Sequence, residues 1–298
     1  MTPGQEFAAK LAELMRQVKA MEPMVQRQIV DLLQEARGRI IAQISTLDPE
    51  RYTAAQLQAL KQSIDRVLDE FRSKATQTVD TFEAKAAQMG VQIVDAPVSA
   101  AFGSMSLGQI DPSTLAIAQG YTADLIGALS KTAAANINAA IQRAFLGGQS
   151  LTDIIAQIGN ALSGGKFDGL FGSFGARAES IAMNEILRVQ SLATQGRMED
   201  LLERHPDLQK QWLWIPAAKQ PRILHQLASG QVTDVTEPYK VAGEDLMFPR
   251  DPNGSAWNTI NCHCISRPYF AADALAPTAQ HKGVLEDLGI SVSVTRAA

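Results

Sequence analysis

From residue 7 to residue 44 apolar side chains return every three or four positions: Phe7, Leu11, Leu14, Val18, Met21, Val25, Ile29, Leu32, Ala36, Ile40 and Ile44. That spacing follows the turn of an α-helix and lays one apolar stripe along it. Pro23 has no amide hydrogen and its ring crowds the preceding turn, so a kink or a break is expected there. Beyond "STLDPERY", Thr53 stands three residues before Gln56 in a capping-box arrangement. A second stripe follows through Leu57, Leu60, Ile64, Leu68, Phe71, Ala75, Val79, Phe82, Ala86 and Met89, with Gly90 placed to stop it in a left-handed C-cap. The pair reads as a long antiparallel helical hairpin, residues 1–90. Such stripes most often serve a chain's own core; the alternative is a protein-docking surface carried by Leu11, Val18, Val25, Ile29, Leu60, Ile64 and Phe71.

The pattern then changes. Residues 91–118 are poor in charge and rich in small side chains, which predicts an extended linker and loop before an alanine-rich helix over 121–146. Together these make a linker and helical segment, 91–145. Ser150 caps a short helix over 151–162, ended by Gly164-Gly165, and Gly169, Gly172 and Gly175 suit a hinge or tight loop before helix resumes near Ala176 and runs to about His205. After Pro206 the texture becomes strands and turns: "QWLWIP", "QVTDVTEPYKV", "DLMFPRDPNGSAW", "CISRPYF". Trp212 and Trp214 alternate with Leu213 and Ile215, as in a strand covered on both faces, with Tyr239, Phe248 and Trp257 packed over the same sheet and Asn253-Gly254 at a turn tip. The expected fold class is therefore α+β: a predominantly helical N-terminal half of long antiparallel helices and a small mixed α/β C-terminal domain over 146–270, with a tail at 271–298.

Composition narrows the function classes. Of 298 residues, 46% are hydrophobic and 19% charged, with a net charge of −4, which argues for a cored protein and against a dominant nucleic-acid footprint. Arg177, Arg188, Arg197, Arg204, Lys210, Lys219 and Arg222 are diluted by Glu179, Glu185, Glu199 and Asp200, so DNA contact is expected to be weak and non-specific. The sequence shows no long apolar run and no apolar leader, so synthesis in the cytosol without membrane partners is expected.

The concentrated chemistry is "NCHCISRPYF", 261–270, which holds both cysteines with a histidine between them. In an extended strand Cys262 and Cys264 project to one face and His263 to the other. Two thiols on one face could share an ion, with His225 of "QPRILHQLASGQ" the preferred third ligand over His205, His281 or a carboxylate, which makes structural zinc a candidate cofactor. Buried thiols that only pack, and a Cys–His nucleophile pair, are the competing readings.

The order of parts carries a further signal. The helix "ARAESIAMNEILRVQSLA", a tryptophan strand, Arg-x-x-His as "RILH", Gly230-Gln231, "EPY", "FPRDPN" and a final Asn-Cys-x-Cys together resemble the phage head morphogenesis family, the Mu F-like minor head proteins of tailed bacteriophages. The resemblance covers residues 145–268 and puts Arg222, His225, Cys262 and Cys264 on the family's signature positions; it departs from the family in "PAAKQPR", where an acidic residue is usual, and in His263, where arginine is usual. It implies a non-enzymatic virion component acting in head morphogenesis at the portal or inner capsid, with portal and other head proteins as partners, in the virion head and, during assembly, the host cytoplasm. The alternative class is a Cys/His- or metal-dependent hydrolase or nuclease using His225, Cys262 and Cys264.

Overall fold

A computed structural model of the chain describes residues 3–46, 53–102, 108–147, 149–160, 166–215 and 222–270. The expectations for Gly164-Gly165, for Lys219 and for the 271–298 tail lie outside the described residues, as does the side chain of Phe7. The fold is α+β, mostly helical, with a small antiparallel sheet region in its C-terminal part. Five helices come first: α1 (Pro3–Ile44), α2 (Ala54–Phe102), α3 (Pro112–Leu146), α4 (Leu151–Ile158) and α5 (Gly169–Leu201). The chain divides into two compact units, one of Glu22–Phe82 and Ala118–Met183, the other of Met1–Met21, Glu83–Ile117 and Asn184–Ala298.

The first unit is built of helices among its described residues. The stripes of α1 and α2 lie in antiparallel register, with Lys74 on Glu35 (2.7 Å) and Arg39 on Glu70 along their exposed edge. Phe71 meets Phe174 edge to face at 5.0 Å between ring centres, and Phe174 meets Phe171 at 5.7 Å. The capping box at Ser150 and Asp153 starts α4, which ends at Ile158 because Gly159 turns out at φ 127°, earlier than its sequence pattern predicts. Helix α5 starts at Gly169, not near Ala176: Gly172 and Gly175 are helical, and a Cβ on Gly172 would come within 2.7 Å of the Phe167 carbonyl oxygen. These glycines permit close approach instead of forming a hinge.

Of the kink or break expected at Pro23, the break is absent: helix α1 passes through it, and one lost hydrogen bond is tolerated where Val25 and Ile29 are fully buried beside it. Two further expectations need correction. Helix α2 does not stop at Gly90 but continues to Phe102, through Pro97, because Val91, Ile93, Val94 and Val98 extend its buried face. Gly90 is a contact point: a Cβ there would sit 2.3 Å from the Gln190 carbonyl oxygen of α5, and Thr194 Oγ1 donates to the Gly90 carbonyl at 3.1 Å. Helix α3 begins at Pro112 because Asp111 accepts the amides of Ser113 and Thr114 as an N-cap. The stripe residues Leu11, Val18, Val25, Ile29, Leu60, Ile64 and Phe71 are all buried within the chain. They form its core, so the docking reading of those side chains is replaced by the core reading.

The C-terminal part of the second unit holds β1 (Gln209–Leu213), α6 (Ile223–Leu227), β2 (Val232–Asp234), β3 (Tyr239–Val241), β4 (Glu244–Leu246), α7 (Ala256–Thr259) and β5 (Ile265–Tyr269). The main sheet is antiparallel in the order β2-β1-β5, pairing Trp212 with Ser266 and Leu213 with Ile265. Strands β3 and β4 form a separate hairpin whose tip is Ala242-Gly243, both at positive φ as a tight hairpin turn requires. Asn253-Gly254 is a different turn, closed by Gly254 N–H on the Asp251 carbonyl, ahead of α7. Trp212 and Tyr239 are core and Phe248 is buried, whereas Trp257 is exposed and does not pack over the sheet. Against this region α5 presents a polar face: Gln195 donates to the Val235 carbonyl (2.8 Å) and Arg188 Nε to the Arg250 carbonyl (3.1 Å).

Candidate metal centre

Alternation along β1 places Lys210 and Trp212 on one face, and the antiparallel register puts Ser266 there too. Continued two residues back, that face receives Cys264. The packed cluster on it is Trp212, Ala228, Tyr239, Val241, Leu246, Cys262 and Cys264. Tyr239 and Trp212 stand edge to face at 5.3 Å, and the Tyr239 hydroxyl bonds Ser266 Oγ at 2.7 Å. Lys210 is buried over the Tyr239 ring, donating to the Met247 carbonyl (2.7 Å) and Gln195 Oε1 (3.2 Å). Burial pulls its pKa down to about 8, against the pull of Glu199, Asp251 and Glu237.

The one-turn helix α6 delivers His225. Ile223, Leu224 and Leu227 face outward, and His225 alone of its five residues turns in, at 1% exposure. Arg222, at the N-cap, reaches across to the carbonyls of Asn258 (2.8 Å) and Ile260, fastening α6 to α7. Just past α7, Asn261 adopts φ 56°, a left-handed conformation asparagine tolerates well. The chain thereby turns Cys262 inward. Cys262 and Cys264, 2% and 1% exposed, both set their Sγ 3.5 Å from His225 Nδ1. β5 begins only at Ile265, so the cysteines share a side through this turn and not through regular strand alternation. The three donor atoms lie within 4.8 Å of one another.

The histidine's tautomer follows from its other nitrogen. Asn258 Nδ2 donates to the Val241 carbonyl (3.2 Å) and to Glu244 Oε2 (3.1 Å), which orients the amide and leaves Oδ1 as acceptor for His225 Nε2–H at 2.5 Å. In the neutral imidazole Nδ1 then carries the lone pair, on the side of both sulfurs. Glu244 is held in turn by the hydroxyl and amide of Ser255, which lower its carboxyl pKa, with Asn258 and the field of His225 adding to the effect. A carboxylate–amide–imidazole chain of this kind is what fixes the orientation of metal-ligating histidines.

The thiols are electrostatically unequal. The bond from the Cys264 thiol holds Cys262 well below the usual thiol range against burial, with His225 and Arg250 assisting. Burial raises Cys264, Cys262 adds to the rise, and Arg250 and the Trp212 indole oppose it. The Arg250 guanidinium, itself buried, bonds the Cys262 carbonyl and Ser191 Oγ (2.6 Å).

The donor set fits a soft or borderline cation. In a tetrahedral zinc site with Zn–S about 2.3 Å and Zn–N about 2.0 Å, nitrogen and sulfur ligands stand about 3.6 Å apart. Both N···S separations match that edge. Oxygen-seeking calcium and magnesium do not suit two thiolates and an imidazole.

Of the residues singled out in the sequence, Arg222, His225, Cys262 and Cys264 converge here. His205 does not; it packs on the Phe270 ring at 5.9 Å. His263 is half-buried and outside the donor set, and His281 lies outside the described residues. Sequence reasoning missed Asn258, Glu244 and the contribution of Arg250. Arg250 stands inside the "FPRDPN" stretch that carries the family resemblance, which was its only signal; Asn258 and Glu244 had none. Among the described residues no helix is long and apolar enough to cross a membrane.

No protein-family model matches the chain and no solved structure matches it. It is similar to the uncharacterized protein YqbB of Bacillus subtilis (strain 168), 31% identical over 109 residues, 36% of this chain. The match spans 35% of that protein's own length, about a third of each partner, and the name assigns no activity.

Proposed function

We propose that the chain is a minor head protein of a tailed bacteriophage, a structural component acting in head morphogenesis at the portal or inner capsid. The observation that carries this reading is the convergence of Arg222, His225, Cys262 and Cys264 in one buried knot. Those four signature residues, scattered over forty positions of sequence, act together as a fastening for the last strand and the short helix before it. The knot is built for holding: its thiols are 2% and 1% exposed, and a nucleophile needs a path for substrate. That burial counts against the hydrolase or nuclease alternative. Head and portal proteins are the partners, DNA contact is weak and salt-sensitive, and the chain resides in the virion head after assembly in the host cytoplasm.

The test is made on particles. Virions and proheads of the phage or prophage encoding this chain, purified and quantified by mass spectrometry, should contain it in low, fixed copy number, and particles lacking it should assemble or package defectively. Absence from particles, with normal packaging and ejection in its absence, would overturn the reading. A purified chain that cleaves phosphodiester or peptide substrates in a Cys262-dependent way would favour the enzyme instead.

A further inference from the structure

We propose that His225 Nδ1, Cys262 Sγ and Cys264 Sγ bind one zinc ion, with a solvent-derived ligand in the fourth position. The proposal stands on this unit's own geometry and does not depend on the assignment to phage heads.

Three features point to it. Both sulfurs are 3.5 Å from the same nitrogen. A single S–H···N hydrogen bond explains one such contact, since one lone pair takes one proton along its axis; two equal contacts are the edges expected around a common ion. The histidine is prepared for coordination, because Asn258 Oδ1 takes its Nε2–H and Asn258 is itself held by Glu244. The charge balance of the loaded site also fits its burial. Binding leaves two thiolates and one neutral imidazole on Zn²⁺, and the protons that the thiols carry pass to solvent. Zn²⁺ and two thiolates sum to zero, and a neutral unit is what a site with exposures of 1–2% can accommodate.

The consequence is mechanical. A metal held by residues 37 and 39 positions apart closes the loop that contains β2, β3, β4 and α7. The small sheet region, with three- and five-residue strands, gains a crosslink where its apolar core is thin.

The full-length chain is to be purified without chelator and its metal counted by elemental analysis and native mass spectrometry. One zinc per chain is expected. Stripped and titrated with cobalt(II), it should develop thiolate-to-metal charge-transfer absorption and the intense visible bands of a four-coordinate ion, saturating at one equivalent. Cys264→Ser should lose one thiolate's share of the charge-transfer intensity and weaken zinc binding at least tenfold, and His225→Ala should do likewise, whereas His263→Ala should bind as the parent does. Chelation of the unsubstituted protein should lower its urea midpoint, a measurement that survives if a variant fails to fold. Thiols that alkylate equally slowly with and without chelator, with no cobalt bands at one equivalent, would overturn the proposal. So would stoichiometric copper in place of zinc, or zinc that stays bound with unchanged affinity in Cys264→Ser. None of these results bears on whether the chain occurs in phage particles.

Discussion

The helical unit and the sheet-bearing unit are held together by different chemistry. In the first, Leu33, Ile40, Ile64, Phe71 and Phe174 interdigitate along continuous stripes, and its cross-helix ion pairs Arg39–Glu70 and Lys74–Glu35 lie in solvent. In the second, buried polar side chains carry the tertiary contacts: Lys210 on Met247, Arg267 on Gln211, Arg250 on Ser191, Asn258 on His225, and Asp95 with Arg197 at 2.6 Å. Apolar burial is non-directional and tolerant, so it specifies a bundle; a buried donor or acceptor costs free energy unless its one partner is in place, so it specifies a unique arrangement. The difference predicts what each unit resists: loss of volume in the first, loss of a hydrogen-bond partner in the second.

The comparison can be broken from either side, because all three tryptophans, 212, 214 and 257, lie in the C-terminal part and far-UV circular dichroism is dominated by the helices. The largest effect is expected from Phe71→Ala, which removes a ring at the junction of α1, α2 and α5 and leaves a cavity; about 3–5 kcal/mol should be lost from the helical transition. A loss under about 1 kcal/mol would show that this core is loosely packed. Asn258→Ala should come next. It strands His225 Nε2–H and the Val241 carbonyl, each buried, at a cost of about 2–3 kcal/mol read as an earlier tryptophan-fluorescence midpoint in urea. An unchanged midpoint would remove the amide from the description of the site.

Lys210 makes the contrast pH-dependent. Burial holds its folded-state pKa at about 8, below the unfolded value of 10.5. Below the lower value both states bind the proton and the full penalty for burying the charge is present; between the two values the unfolded chain binds more protons, so stability rises with pH. The gain over the first one and a half pH units above that lower value should be about 2 kcal/mol, and Lys210→Met should abolish it. Equal slopes in parent and variant would place the titration on another group.

Much of this was legible in the sequence and part was not, for physical reasons that particular residues show. The stripes of α1 and α2 were readable because helical periodicity repeats over many turns, and the capping residues Thr53 and Ser150 mark starts by local hydrogen bonding. Gly90 misled because a glycine that ends a helix and one that lets two helices touch look the same in one dimension; only Gln190 and Thr194 of α5 distinguish them. The helices run on through Pro23 and Pro97 because tertiary burial outweighs one missing hydrogen bond. At the site, the donors were readable by residue type, since few side chains bind soft cations. Asn258 and Glu244, which orient His225, were not, because their roles depend on the fold of β4 against α7 and on no local pattern.

The smallest expected effect is the most useful control. Lys74 and Glu35 form a well-made ion pair, 2.7 Å, between side chains that are each nearly half exposed. Water competes for both partners, fixing two long side chains costs rotamer entropy, and salt screens what remains, so a double-mutant cycle with Lys74→Ala and Glu35→Ala should give a coupling of about 0.5 kcal/mol or less, falling further as ionic strength rises. The same cycle on Arg197 and Asp95, where the carboxylate is fully buried and also accepts the Gly108 amide at 2.7 Å, should give a coupling several-fold larger and nearly salt-independent. Equal couplings in the two cycles would mean that the polar contacts of the sheet-bearing unit are no more specifying than ordinary surface charge, and the contrast between the two regions would reduce to where their apolar residues lie.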